Sequence, residues 1–170
     1  LSPFVEAGVP IVGVEPSCLA TLRSDLTQLL DDPKAVSVSK GVFTLAEILS
    51  QTPNWQPPDL SGAELIVQPH CHHHSVLGFT ADAEILARTG ATVTQLGGCC
   101  GLAGNFGVEQ GHYEVSVAVA EQQLLPAISG NSAAVLVADG FSCRTQIADL
   151  ADRSAFHLAE ILAGATQDQP

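Results

Sequence analysis

Four short apolar runs in this chain read as strands, and each is followed within a few residues by cysteine. Val9–Val14 leads to Cys18, Leu65–Val67 to Cys71, Thr92–Leu96 to Cys99 and Cys100, and Ala134–Ala138 to Cys143. Segments with helical periodicity separate the runs, which predicts an α/β fold. Successive strands joined by helical crossovers pair in parallel, so the expectation is a mostly parallel sheet of about four strands flanked by helices. In such a sheet the loops at the carboxyl ends of the strands share one edge, where ligands bind. The five cysteines are therefore expected at the C-terminal strand ends, gathered at one place. Five convergent soft ligands point to a metal or iron–sulfur centre more than to a packed core.

The coarse order is strand, helix, linker, strand, helix, strand, helix, strand, helix. Cys18–Leu30 carries Leu19, Leu22, Leu26, Leu29 and Leu30 at helical spacing and ends at Asp31-Asp32-Pro33. Phe43–Leu49 reads as a short helix, and Gln51–Gly62, with three prolines, as an irregular connection. Ser75–Arg88 is a predicted helix with Leu77, Ala81, Ile85 and Leu86 inward and Gly90 as its cap. Tyr113–Leu125 alternates like a strand at Val115, Val117 and Val119, yet a crossover is needed there, so helix is expected. Cys143–Leu150 and Phe156–Leu162 read as helices and Thr166–Pro170 as a frayed end. Val12–Cys18 and Leu136–Cys143 echo one another, each a strand, a turn and a Ser-Cys pair, which hints at an ancestral duplication.

At 170 residues, 46% apolar and 14% charged, the chain is long enough for one domain with a real core. Its 6 Lys+Arg against 18 Asp+Glu give a net charge of -12. Nucleic-acid binding needs a basic surface and is not expected, and anionic membrane surfaces are disfavoured on the same ground. A basic partner surface fits. No apolar run reaches the roughly 18–20 residues that span a bilayer. The chain holds no Met, and Leu-Ser-Pro-Phe-Val-Glu opens like the tail of a helix, so a fragment of a longer protein is expected. An odd count of five cysteines, without the spacing of a disulfide framework, favours a reducing cytoplasm.

Ser17-Cys18 and Ser142-Cys143 each place a serine where a helix N-cap belongs. The next thiol would then sit at the positive end of the helix dipole, which favours thiolate; the alternative is a small buried hydrophobe. Gly97–Gly107 contains five glycines around Cys99-Cys100. Vicinal cysteines face one metal only if the flanking backbone takes positive φ, and bare N–H groups there can hydrogen-bond sulfur. Gly98, Gly101 and Gly104 are the candidate cofactor-contacting positions. A phosphate cradle lacks its G-x-G-x-x-G or Walker lysine, while a vicinal disulfide leaves the other cysteines unexplained. His70-Cys71-His72-His73-His74 puts a thiol among imidazoles, and in extended chain His70, His72 and His74 would share a face. Zinc-grade ligation is one reading; imidazoles that hydrogen-bond to ligands without touching metal are the other. His112 is expected to cap a helix or donate to a ligand, Arg144 to hold thiolate charge or a carboxylate, and His157 to be structural. The spacing Cys71–x27–Cys99-Cys100–x42–Cys143 has neither zinc-ribbon knuckles nor a ferredoxin run.

His70-Cys71-His72, Gly98-Cys99-Cys100-Gly101-x-x-Gly104 and Gly140-Phe-Ser-Cys143 resemble the cysteine-rich CCG domain of heterodisulfide reductases and of the iron–sulfur subunit of glycolate oxidase. Glu15-Pro16-Ser17-Cys18, Gly140–Gln146 and His157–Leu162 are most similar to the C-terminal part of FAD-linked oxidases acting on D-2-hydroxyacids. The resemblance implies an iron–sulfur electron-transfer domain of a flavin-linked oxidoreductase, relaying electrons from FAD to a quinone or redox protein. It implies a 4Fe-4S-type cluster, or zinc in its place, on Cys71, Cys99, Cys100, Cys143 and Cys18, and His72 is a further candidate ligand. FAD and the substrate domains would lie elsewhere in the polypeptide, so the isolated domain would not be catalytic alone. Residues 1–50 would end a preceding repeat and 60–164 form a complete one within 1–170. Gly140 takes the first place of the C-x-x-C that ends some such domains, leaving Cys143 alone and Cys18 as the candidate replacement. The expected location is cytoplasmic, or peripheral at the inner membrane. A structural zinc domain and a thiol/disulfide enzyme using Cys99-Cys100 are the alternatives.

Overall fold

The structure is a computed structural model that describes residues 1–164; the end expected to fray, Thr166–Pro170, lies outside the described residues. The chain forms two compact units, Leu1–Gln56 with Cys71–Ala83, and Pro57–His70 with Glu84 onward.

In the first unit, α1 (Ser2–Glu6) precedes β1 (Ile11–Gly13), and β2 (Val42–Thr44) pairs with β1 in parallel, Val12 opposite Phe43. Between the strands lie α2 (Pro16–Ala20), a π-helical turn over Thr21–Asp25, α3 (Leu26–Leu29) and α4 (Pro33–Lys40). The π turn holds more residues per turn than an α-helix and shifts the phase of α3 after it. Leu19 is accordingly buried and Leu22 and Leu26 half-buried, while Leu29 and Leu30, part of the same helical spacing in the sequence, are exposed. Pro33 does more than end that helix: it opens α4, and the Asp32 carboxylate accepts from the Lys34 N–H at 2.8 Å. The expected helix over Phe43–Leu49 is a strand followed by α5 (Leu45–Gln51). Thr44 ends the one and caps the other through a reciprocal Thr44–Glu47 capping box. Leu19, Ala20, Val38, Val42 and Leu77 form a core.

In the second unit, β3 (Glu64–Val67), β4 (Thr92–Gln95) and β5 (Val135–Val137) form a parallel sheet in the order β4-β3-β5. The single sheet of about four strands is thus resolved into a pair and a triplet. Leu65, Ile66 and Val67 are all buried, which is why β3 reads as an unbroken apolar run. Thr-Val-Thr-Gln of β4 is largely exposed and makes one edge; the outer edge of β5 is bridged by Phe156. The helix expected over Ser75–Arg88 is broken at Gly78, φ +86, so that α6 is Thr80–Arg88, with its residues from Glu84 in this unit. Gly90 at φ +79 follows it, in the cap role expected. The crossover from β4 to β5 is helical, as α7 (Tyr113–Ala120) and α8 (Leu124–Gly130), so the valine alternation does not mark a strand. After β5 come α9 (Phe141–Ala151) and α10 (Leu158–Leu162). Among the described residues no helix is long and apolar enough to cross a membrane.

Candidate metal centre

In the second unit the chain leaves β3 for β4 on one side and then crosses to β5 on the other. Loops at the carboxyl ends of such strands part in opposite directions and leave a crevice between them. The loop after β4 carries Cys99 and Cys100, and the loop after β5 leads into α9, whose third residue is Cys143. Cys100 is 2% exposed and Cys143 0%, with Cys99 half-buried. The Cys100 thiol is hydrogen-bonded with Cys143 and with Cys99, so it stands in the middle of three neighbouring sulfurs. Those two hydrogen bonds, the Cys143 one foremost, act with burial to push the Cys100 thiol far above the ordinary cysteine range. Three such sulfurs cannot all shed their protons unless a cation sits among them. A buried set of soft donors with that property fits a thiophilic metal or cluster.

The backbone of the loop is shaped for this. Gly101 has φ +95, and its N–H donates to the Cys99 sulfur at 3.3 Å. A Cβ at Gly101 would lie 2.1 Å from the Ser116 carbonyl oxygen, so only glycine fits against α7. Gly98 packs on the Gln123 side chain, whereas Gly104, at φ +71, has nothing within 4 Å.

Amide side chains that the sequence did not single out hold the loop. From the end of β3, buried Gln68 donates through Nε2 to the Gly98 carbonyl at 2.8 Å and to that of Pro69 at 3.0 Å. Gln123 accepts from the Gly97 N–H at 3.0 Å, and Gln146 donates to Ser116 Oγ at 2.9 Å. A glutamine inside the apolar run Leu65–Pro69 was the available signal, since a buried amide needs partners.

The serine caps are corrected. Glu15 caps α2, its carboxylate accepting from the Cys18 N–H at 2.8 Å, and α9 has Gly140 at its cap position with Ser142 inside the helix. Cys18 is exposed, and its thiol is pushed up, not down, by partial desolvation and then by the charge and hydrogen bond of Glu15. Gly140 has a steric reason of its own: a Cβ there would lie 2.2 Å from Cδ2 of the buried His70 ring. A cysteine at the first place of a C-x-x-C is therefore not accommodated beside this His70.

The histidine run is not extended. Cys71 and His72 begin a helical turn and His73–Leu77 is π-helical, so the alternate-face argument for His70, His72 and His74 does not apply. In the first unit Cys71 and His72 are exposed, while His73 is buried with Nε2 3.1 Å from the Asp82 carboxylate. His112 stands at the start of α7, stacked on Phe106 at 4.2 Å, and makes no side-chain cap. Arg144 holds a carboxylate, Glu160 at 3.6 Å. His157 caps α10, its Nδ1 accepting from the Ala159 N–H at 2.9 Å, which is a structural role. None of the five cysteines is in a disulfide.

No protein-family model matches the chain. D-2-hydroxyglutarate dehydrogenase from Escherichia coli (strain K12) is 30% identical over 151 residues, 86% of this chain and 14% of that protein. The enzyme of the same name from Pseudomonas putida is 26% identical over 165 residues, 95% of this chain and 16% of that protein. That from Pantoea ananatis is 27% identical over 151 residues, again 86% and 14%. The chain spans 14–16% of the length of these curated relatives and is similar to one portion of D-2-hydroxyglutarate dehydrogenases.

Proposed function

We propose that this chain is the iron–sulfur electron-transfer part of a flavin-linked oxidoreductase acting on a small D-2-hydroxyacid. The observation that carries the reading is Cys100, buried and hydrogen-bonded to both Cys143 and Cys99 where the sheet reverses its strand order. The names of the relatives support the substrate class, and their length supports flavin-binding and substrate domains elsewhere in one polypeptide. Cys99, Cys100 and Cys143 would hold the cluster. Gly101, seated against the Ser116 carbonyl, has its N–H hydrogen-bonded to the Cys99 sulfur, and contact of Gly98 with the cluster enters from the sequence alone. A cluster held by thiolates passes single electrons at a potential set by such hydrogen bonds and by burial. The chain's own part is to keep water away from Cys100 and Cys143 and to fix their spacing. Cys71, Cys18 and His72 enter as ligands from the sequence alone. A quinone or a redox protein would take the electrons, in the cytoplasm or at the inner membrane surface.

A structural zinc site is the second reading, because neighbouring thiols, two buried and one half-buried, suit zinc as well. A thiol/disulfide enzyme is disfavoured, since the thiolate is the nucleophile and the Cys100 thiol is buried and held protonated. Anaerobic reconstitution followed by iron and acid-labile sulfide assays and EPR separates the readings. A broad visible band bleached by reductant is expected, and Cys143→Ser should abolish or alter it. An unchanged spectrum in that variant removes Cys143 from the ligand set. Colourless protein with a tight stoichiometric zinc replaces the cluster by the structural site. Serine at Cys71 or Cys18 shows whether either joins.

A further inference from the structure

We infer that Gln146 and Ser116 are positioning residues that keep Cys143 and the Cys99–Cys100 loop in mutual register for metal binding. The role rests on the soft-metal reading of the three thiols. Both side chains are almost wholly buried, 2% and 1% exposed, and one hydrogen bond of 2.9 Å, from Gln146 Nε2 to Ser116 Oγ, joins them.

Ser116 is the surface on which the glycine loop rests. Its carbonyl oxygen stands where a Cβ of Gly101 would be, at 2.1 Å, and its hydroxyl where a Cβ of Gly107 would be, at 2.3 Å. The loop closes on itself between those contacts, the Gly107 N–H donating to the Leu102 carbonyl at 2.9 Å. Cys100 thus hangs on α7 through backbone that has no room to shift inward. Gln146 belongs to α9, three residues after Cys143, and so stands on the same helical face. The Gln146–Ser116 bond ties the helix that carries Cys143 to the helix that seats Cys100. Gln146 also lines, with Leu102, Gly107 and Thr145, a half-open cleft of about 480 Å³, so it stands between this cleft and the buried Ser116 hydroxyl. Breaking the bond leaves a polar group buried without its partner, and relief comes by moving α9 relative to the loop. The amide acts on the metal through geometry, as groups that orient ligands do.

The test uses the full chain, reduced and metal-free, titrated with Cd²⁺ and followed by its ultraviolet sulfur-to-metal charge-transfer band. Gln146→Leu and Ser116→Ala are each expected to keep the helical circular dichroism of the unaltered chain, bind cadmium about 10–100-fold more weakly, and shift the band. The double variant should be no weaker than the worse single, because both act through one bond. Gln146→Glu, which keeps an oxygen in reach of the Ser116 hydroxyl, should recover part of the affinity. Singles that bind within about twofold of the unaltered chain, well short of the loss typical for ligand-orienting groups, overturn the inference. If the leucine variant does not fold, Ser116→Ala, which removes a single oxygen, decides by the same criterion. Cys100→Ser is the control for the underlying reading: undiminished cadmium binding there overturns the thiol centre itself, independently of Gln146.

Discussion

Gly101 and Gly104 occupy one loop, both at positive φ, yet they answer to different constraints. At Gly104 an added methyl meets open space and only the backbone conformation is strained, which amounts to about 1–2 kcal/mol. At Gly101 the same methyl also meets the Ser116 carbonyl, a backbone atom that cannot swing away, so overpacking adds to the strain. Gly101→Ala is therefore expected to destabilise by about 2–5 kcal/mol and Gly104→Ala by less than half of that, read from urea denaturation. Equal effects would mean that the loop does not rest on α7. Cys18 gives a second residue-scale test. Its thiol is raised by desolvation and by Glu15, so Glu15→Gln, which keeps the cap acceptor and removes the charge, should lower the pKa and speed iodoacetamide alkylation at mildly alkaline pH. A slower reaction would contradict the assigned cause. Residue type and spacing made the placement of Cys99, Cys100 and Cys143 legible, because the ends of strands in a parallel sheet share one edge. What the sequence hid is which atom caps a helix: Ser17 and Ser142 are good caps in isolation, but Glu15 and Gly140 hold those positions. The amides of Gln68, Gln123 and Gln146 were hidden for a similar reason, since their partners are distant in the chain.

At the scale of elements, Arg23 fastens the π turn to the start of α5. Its guanidinium meets the Glu47 carboxylate at 2.9 and 2.6 Å and the Val42 carbonyl at 2.8 Å. Burial alone would raise Glu47. The Arg23 hydrogen bond, the Thr44 N–H and the Arg23 charge outweigh it and hold the carboxyl below its ordinary value of 4.5. A lowered folded pKa means that the stabilisation is complete above pH 4.5 and is lost as pH falls through the folded value. Acid unfolding of the first unit should consequently flatten in Glu47→Gln below about pH 4.5, by about 1 kcal/mol or less because the pair is partly solvated. Amide exchange at Val42–Thr44 would show it, and an unaltered acid profile would remove Glu47 as the titrating group. Elements with strong local signals were legible, β3 as an apolar run and Gly90 as a stop, whereas the helical crossover between β4 and β5 was legible from topology and against its valine alternation. Others were not. β2 is three residues long and leads directly into α5, so its strand character merges with the helix after it. The π turn leaves no mark in leucine spacing until exposure of Leu29 and Leu30 reveals the phase shift.

At the scale of the molecule, strand order alone could not tell one sheet from two, since a pair and a triplet carry the same alternation of strand and helix. The consequence is a difference in stability between the units. A two-stranded sheet of three-residue strands has little ladder of its own, while β3 is paired on both sides and buried. Amides of β3 and β5 are expected to exchange only by global opening of the second unit, and those of β1 and β2 to exchange earlier, by local opening. Metal binding should then act unevenly. A ligand that binds only the folded form stabilises it by about 2.7 kcal/mol at a hundredfold excess over its dissociation constant. Cadmium at that excess should raise the protection of Ile66 and Leu136 by about this amount, because their unit holds Cys99, Cys100 and Cys143. If Cys18 and Cys71 take no part, protection of Val12 and Phe43 stays where it was. A rise there of the same size would bring the first unit's cysteines into the ligand set, and no rise at Ile66 would end the case for a metal on the three gathered thiols.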